Sequence, residues 1–482
     1  MIATPIAGTL LPGFAGPVAP VWLLDRLRDG LAGVCLFGTN IRSRHQVHDL
    51  VASIREANPR AIVAIDEEGG DVTRLHYAVG SPYPGNAAVG RLDDPAVTEH
   101  VARTVGWELR LAGIDLDLAP DADVNSNPDN PVIGTRSFGA DPDLVARHTA
   151  AWVRGLQSTG VAASVKHFPG HGDTADDSHL ALPVVRATRD ELRRRELVPF
   201  AAAVAAGART VMSSHILLPD IDPSAPATFS QIVLGDILRG ELGFDGAIVS
   251  DALDMAGASR DRGIPAAAVR ALGGGCDLLC IGVDTTAEDL DAIEAAVASA
   301  MTDGTLAAAR VADAAARVRR LAHDSESARL AAPIPESVTA DHEPTFDRAL
   351  FSRVIEADAR IEVRERRDVI AIETVANIAV GTAPWGPAAV DPRVRRVAAG
   401  QVPTLTEGVQ PVLVVVGAHR QPDARATIER VREAHPETLV VEMGWPDPER
   451  SSADIVTWGS SRFMGEVLLD WLERRSGAGG AS

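Results

Sequence analysis

The chain has 482 residues, with 46 Lys plus Arg against 66 Asp plus Glu and a formal charge of -20 at pH 7. That length suits a large domain followed by a smaller one, and the negative balance works against nucleic acid and anionic membrane surfaces, leaving a small molecule as the expected partner. Hydrophobic residues make up 46% of the chain, enough for a buried core, but no apolar run reaches the roughly eighteen residues that a bilayer-spanning helix needs.

The N-terminal stretch "MIATPIAGTLLPGFAGPVAPVWLLDRL" has no Lys or Arg before Arg26 and is broken by Pro5, Pro12, Pro17 and Pro20, so it does not read as a signal peptide. Cys35, Cys276 and Cys280 each sit in an apolar, strand-like run. Buried free thiols are expected there, in keeping with a reducing, cytoplasmic setting. From here to about residue 320, strand-like runs alternate with helical ones. The strands are "GTLLPGF" from Gly8, "AGVCLFG" from Ala32, "AIVAID" from Ala61, "IDLDLAP" from Ile114, "VAASVKHF" from Val161, "RTVMSSH" from Arg209, "GAIVSDA" from Gly246 and "CDLLCIG" from Cys276. Amphipathic segments such as "RSRHQVHDLVASIREAN", "PAVTEHVARTVGWELRLAG", "DPDLVARHTAAWVRGLQSTG" and "RDELRRRELVPFAAAVAAG" lie between them, several ending at Gly or Asn. Eight βα units over this length predict a TIM (β/α)8 barrel over 1–323, with a doubly wound open sheet as the competing arrangement. A linker is expected over 324–337. Residues 338–482 read as a smaller α/β sandwich, with strands "DVIAIET", "ANIAVG", "PVLVVVG" and "TLVVEM" and the helix "QPDARATIERVREAHP". Its "VVVGAHRQPDA" has a single glycine and is no dinucleotide fingerprint. No cofactor is expected, and the second domain is assigned to packing or dimer formation.

In a barrel the loops after the C-terminal ends of the strands build the active site. Here the third strand runs into "DEEGGDVTR", the fourth into "DADVNSNPDNPVIGTRSFG", the fifth into "KHFPGHGDTADDSH", the sixth into "SSHI" and the seventh into "SDALDM". Asp251 directly follows an apolar strand, a position suited to a nucleophile in a partly desolvated pocket; the bland reading is a helix N-cap. Asp254, one turn on, reads as a cap or a supporting group.

The fifth loop holds His167, His171 and His179. Three histidines could ligate zinc, but Pro169, Gly170 and Gly172 break the helical spacing that such a site favours, and no metal is expected. Asp177 and His179 are two apart, so in extended chain they project to one side, where the carboxylate fixes the imidazole tautomer and the other nitrogen exchanges a proton. A solvated loop is the alternative for "DSH" taken alone. Lys166 and His167 end the fifth strand as candidate donors to substrate hydroxyls, Arg74 and Arg136 lie beside glycines where backbone approaches a ligand closely, and Asp66 is placed to accept vicinal hydroxyls. Such a set fits a sugar better than a phosphate or a nucleobase.

These motifs, in order and spacing over roughly residues 5 to 320, resemble the bacterial β-N-acetylglucosaminidases of glycoside hydrolase family 3. The resemblance implies a TIM barrel and retaining hydrolysis of terminal N-acetylglucosaminides, with cell-wall or muropeptide fragments as the substrates. It implies Asp251 as nucleophile, Asp177 and His179 as the acid/base dyad, and substrate contacts from Asp66, Arg74, Arg136, Lys166 and His167. Where the family more often has Gln, Arg and Gln, this chain has Glu67, Asp71 and Thr73, a more acidic third loop that bears on aglycone preference. Because a histidine becomes neutral after protonating the leaving group, inorganic phosphate is a candidate acceptor beside water. A metal-dependent barrel hydrolase using His167, His171 and His179, and a sugar-binding protein without turnover, are the rival readings.

Overall fold

The computed structural model describes residues 5–174, 182–260, 262–339, 343–449 and 453–477. All eight expected barrel strands form: β1 (Leu10–Leu11), β2 (Gly33–Leu36), β3 (Ile62–Ile65), β4 (Leu116–Asp117), β5 (Ala162–Phe168), β6 (Thr210–Ser213), β7 (Ala247–Val249) and β8 (Leu279–Cys280). β2 to β7 follow one another as parallel neighbours, and β1 pairs in parallel with β8. Two contacts close the ring. Ser250 N donates to Leu278 O at 2.9 Å, joining β7 to β8, and Cys35 N donates to Pro12 O at 2.9 Å, joining β1 to β2. The open-sheet alternative is thereby set aside.

The two-residue period of a strand explains why these runs are apolar throughout. Leu11, Cys35, Ile62, Ala64, Leu116, Ala162, Val249 and Cys280 form one cluster inside the barrel, while Leu10, Val34, Val63, Ile65, Val161, Val165, Ile248 and Leu279 belong to the layer under the helices. All three cysteines are buried free thiols, and no helix among the described residues is long and apolar enough to cross a membrane.

The helix after β8 and its successor run over Ala287–Thr302 and Ala308–Ala331. The expected linker therefore begins helically: "SESARLA" continues the helix, Arg329 pairs with Asp115, and the chain leaves the helix just before Pro333. The second sheet comprises β9 (Glu356–Ala357), β10 (Arg367–Glu373), β11 (Arg395–Ala398), β12 (Gln410–Val415), β13 (Leu439–Glu442) and β14 (Ile455–Val456). Their order is β11-β10-β12-β13-β14-β9, parallel except for β9 against β14. One face packs on the helix Pro422–Ala434 through Leu413, Val415, Ile428 and Val431. The other, with Val412, Val414 and Val441, shares an apolar cluster with the helix Arg462–Gly477 and with the barrel's outer layer.

"ANIAVG" is not a strand. Asn377 Oδ1 accepts Val380 N at 2.8 Å, and Gly381, at φ 72°, donates its N–H to Asn377 O at 3.0 Å. An Asn and a left-handed Gly make this run a turn despite its apolar side chains. The strands β9 and β14 went unread because two residues carry no period, and β11 because its "RRVA" is a charged sheet edge.

Candidate active site

Barrel geometry brings six of the eight expected site residues to one place. Asp66, Arg74, Arg136, Lys166, His167 and Asp251 all line a cavity of about 310 Å³ at the C-terminal ends of the strands. The other two, Asp177 and His179, lie outside the described residues.

Four side chains, three of them buried and Asp66 half-buried, form an ionic chain across the third, fourth and fifth loops. Lys166 Nζ lies 2.6 Å from Asp66 Oδ1 and 2.7 Å from Glu68 Oε1. Arg136 donates Nε and Nη2 to the two oxygens of Glu68 at 2.9 and 2.8 Å, the fork-to-fork geometry that fixes a guanidinium plane. Burial alone would raise Glu68, but Arg136 and Lys166 outweigh it and hold its carboxyl well below the usual range. Burial likewise opposes the charge on Lys166, and Asp66 and Glu68 override it. Glu68 is thus the carboxylate that two buried cations share; deleting it would leave Arg136 without its bidentate partner, at a cost of about 3–5 kcal/mol.

His167 is oriented from both sides. Its Nδ1 is 2.7 Å from Asp123 Oδ2, and its Nε2 is 3.3 Å from Arg136 Nη2. A guanidinium only donates, so Nε2 is the accepting nitrogen and the Nδ1 proton goes to Asp123. In this arrangement Lys166 and Arg74, rather than His167, carry the donors at the cavity wall. The fifth loop's glycines have packing reasons: a Cβ on Gly172 would sit 1.8 Å from Val124 O, and Gly170 has φ 135° with Glu196 Cγ 2.4 Å from where a Cβ would be.

Asp251 is half-buried at the end of β7, and its Oδ1 accepts Ala252 N at 2.8 Å. The carbonyl of Ala252 in turn accepts from His215 Nε2 at 3.0 Å, so the buried histidine of "SSHI" braces the backbone that carries Asp251. The N-cap reading does not describe either carboxylate of "SDALDM": the next helix, Ala256–Ser259, has Met255 at its N-cap. Asp254 Oδ2 instead accepts Val283 N at 3.3 Å, joining the seventh and eighth loops.

The second domain takes part in the site, contrary to a role in packing or dimer formation alone. Ile378 and Ala379, from the turn misread as a strand, line the cavity, and Arg74 Nη2 donates to Ala379 O at 2.8 Å. Tyr77 Oη accepts Thr382 N at 3.1 Å and pins the same turn. The acidic departures of the third loop have internal partners. Glu67 Oε2 accepts Thr73 Oγ1 at 3.0 Å and the Arg74 and Leu75 N–H groups at 2.9 Å each. Asp71 accepts Thr135 Oγ1 at 2.6 Å and, from the second domain, Ser460 N at 2.8 Å. These residues shape the loop and fasten it to the second domain.

Among the described residues, Asp121, Asp123 and His167 are the group able to hold a metal ion, with donor atoms within 4.8 Å of one another. Only His167 is shared with the histidine set considered from sequence. Arg136 Nη2 lies 3.7 Å from Asp121 Oδ2, so a guanidinium already faces these donors. Burial and the charge of Asp123 push Asp121 well up, whereas His167 overcomes the burial of Asp123 and draws it down.

His171, stacked edge-on to His167 with ring centroids 6.0 Å apart, has its Nδ1 2.8 Å from Thr174 Oγ1. Burial lowers it from 6.5 to about 4, against the opposing pull of Asp123. Between those values the unfolded chain binds a proton that the folded chain does not, so stability is lost as pH falls from 6.5 toward 4, by up to about 3 kcal/mol. Urea unfolding at pH 7, 5.5 and 4.5 is expected to show a wild-type advantage over His171→Gln that shrinks with acidification; a gap independent of pH would remove His171 from this account.

Glu68, Asp121 and Asp123 were not singled out from the sequence, and His171 entered it only as a member of the rival zinc set. The alternation "DAD" placed Asp121 and Asp123 on one side of an extended segment and was a usable signal; Glu68 had none beyond its position after β3.

Comparison with known proteins bears on the fold and the family. Residues 25–321 match the glycosyl hydrolase family 3 N-terminal domain. The chain is 43% identical over 280 residues to a β-hexosaminidase of Stenotrophomonas maltophilia (strain K279a), covering 56% of this chain and 82% of that one. It is 38% identical over 264 residues to a β-hexosaminidase of Pseudomonas aeruginosa (strain LESB58), covering 54% and 77%. Among solved structures, a family 3 β-N-acetylglucosaminidase from Paenibacillus sp. str. FPU-7 superposes with a TM-score of 0.85 at 30% identity, over 98% of this chain and 97% of that one. A β-N-acetylhexosaminidase from Beutenbergia cavernae DSM 12333 gives 0.60 at 31% identity, over 67% and 98%. With the matched region running from β2 through β8 and the motif carboxylates gathered at the barrel's mouth, the chain belongs to glycosyl hydrolase family 3.

Proposed function

We propose that this chain is a retaining β-N-acetylglucosaminidase that releases terminal N-acetylglucosamine from glycosides, cell-wall fragments among them. The observation that carries the reading is the single cavity in which Asp251 meets Asp66, Arg74, Arg136, Lys166 and His167. Asp251 attacks the anomeric carbon to give a covalent glycosyl-enzyme, and His179, oriented by Asp177, protonates the departing oxygen and then deprotonates the acceptor. Asp66 and Lys166 hold sugar hydroxyls as acceptor and donor, and Arg74 adds a second cation whose guanidinium is anchored by the second domain. Glu68, Arg136, Asp123 and His167 form the rigid wall that fixes them. Rigidity of this kind lets binding favour the transition state over the ground state.

Water is the acceptor this site favours. The positive potential that would draw inorganic phosphate is offset here, because Lys166 faces Asp66 and Glu68, Arg136 faces Glu68, and Arg74 lies 3.8 Å from Asp66. Incubation with a nitrophenyl N-acetyl-β-glucosaminide in millimolar phosphate tests both points at once. Nitrophenol with free N-acetylglucosamine is the expected outcome. Retained N-acetylglucosamine 1-phosphate by phosphorus NMR would replace hydrolase with phosphorylase, and no nitrophenol at all would leave a sugar-binding protein.

A further inference from the structure

The barrel interior carries a pair of thiols that the sugar chemistry does not use. Of the three cysteines in the chain, Cys35 on β2 and Cys280 on β8 belong to the inner cluster of the barrel, together with the thioether of Met212 on β6. β1 runs between their two strands: Leu11 pairs with Cys280, and Cys35 N donates to Pro12 O at 2.9 Å. Both cysteines share the inward face of Leu11, as the two-residue period of a strand requires, and their thiols are hydrogen-bonded to each other.

The pair is reached from the candidate active site. Cys280 and Met212 line the cavity that holds Asp251, and the charges of Asp251 and Asp254 act on Cys280. A cation that enters by the sugar's route is therefore drawn toward the sulfur. Cys280 is only 2% exposed and Cys35 is fully buried behind it, an opening that admits a bare ion and turns away a bulky thiol reagent. Cys276 stands apart, outside that lining, with its Sγ donating to Thr228 O at 3.5 Å.

The class of ion follows from the donors. Asp121, Asp123 and His167 offer oxygen and imidazole, whereas Cys35 and Cys280 offer two soft sulfurs and nothing else. Thiolate and thioether donors select soft d10 ions such as Cu+ over oxygen-seeking ions such as Mg2+, and two thiolates in line satisfy a monovalent ion of this kind. We propose that Cys35 and Cys280 form a two-sulfur site for a thiophilic cation of the Cu+ and Ag+ class, and that an ion held there inhibits the enzyme from the floor of its cavity. Each sulfur–metal bond forms as one thiol proton leaves to solvent, so binding one ion releases two protons. The bound charge then acts on Asp251 and weakens it as a nucleophile, a consequence that rests on the glycosidase reading.

Silver nitrate in chloride-free buffer is the probe. Equilibrium dialysis of the full chain with metal analysis is expected to give about one tightly held Ag+ per chain, with about two protons released for each ion. Cys35→Ala and Cys280→Ala should each weaken binding by about 100-fold or more, and Cys276→Ala should bind as the wild type does. Nitrophenol release should fall in step with occupancy and return when dithiothreitol removes the silver, while Cys35→Ala should turn over normally and resist the same silver concentration. Where the alanine variants do not fold, X-ray absorption at the silver edge of the loaded wild type counts the ligands directly, and two sulfurs are expected. A shell of one sulfur, undiminished binding in Cys35→Ala, or binding lost in Cys276→Ala overturns the site. So does a Cys35–Cys280 disulfide in the freshly purified chain, which would make the pair a redox couple. Full turnover with the site loaded overturns the inhibition. A wild type that binds silver but releases no nitrophenol in its absence strikes the glycosidase reading and leaves the metal site standing.

Discussion

Asp251→Asn is expected to cut turnover by roughly 10⁴- to 10⁶-fold while leaving the melting temperature close to wild type. The loss is large because a carboxamide is a poor nucleophile and cannot form the glycosyl ester. The fold is expected to survive because Asp251 is half-buried and its Oδ1 accepts Ala252 N at 2.8 Å, a bond that an asparagine oxygen still makes. A 5-fluoro N-acetylglucosaminyl donor with a good leaving group should label Asp251, as read by peptide mass spectrometry. Label on Asp66, Glu68 or Asp254 would transfer the nucleophile to that residue. Glu68 is the least suited of the three, since Arg136 and Lys166 already occupy both of its oxygens.

His179→Ala is expected to slow substrates with poor leaving groups by about 10²- to 10⁴-fold and to affect activated aryl glycosides far less. A sugar alkoxide needs a proton to depart, whereas a dinitrophenolate does not. Asp177→Asn should repeat the pattern more weakly, because it disturbs the orientation of the imidazole without removing it. Brønsted plots of rate against leaving-group pKa measure this directly: a steeper slope in both variants supports the dyad, and parallel lines displaced by equal amounts would assign the acid to another group. Both residues lie outside the described part of the structure, so the kinetic slope is the direct test of their role.

Much of the barrel was legible because it is periodic. Eight short apolar runs, spaced by amphipathic helices, state the βα repeat, and each strand end then marks where chemistry collects. Asp66, Lys166 and Asp251 could be placed at the cavity from their positions after β3, within β5 and after β7. The alternation that divides Ile62 and Ala64 from Val63 and Ile65 was equally present in the sequence.

What remained for the tertiary structure to decide was set by contacts between residues far apart in the chain. "ANIAVG" has the apolar content of a strand, but Asn377 and Gly381 close it into a turn, and that turn reaches a barrel cavity some 300 residues upstream in the chain, through Arg74 and Ala379 at |i−j| = 305. No local pattern encodes such a meeting. Glu68 likewise differs from its neighbour Glu67 only in direction: one turns to Arg136 and Lys166, the other to the backbone of its own loop. Composition and spacing determined the barrel and the strand-end carboxylates. Only the packing of the second sheet against the barrel decided that Asp71 meets Ser460, that Arg74 is anchored from outside its own domain, and that the active site has a second wall. The physical reason is that strand and helix periods are local, whereas a site wall built from two domains depends on long-range burial.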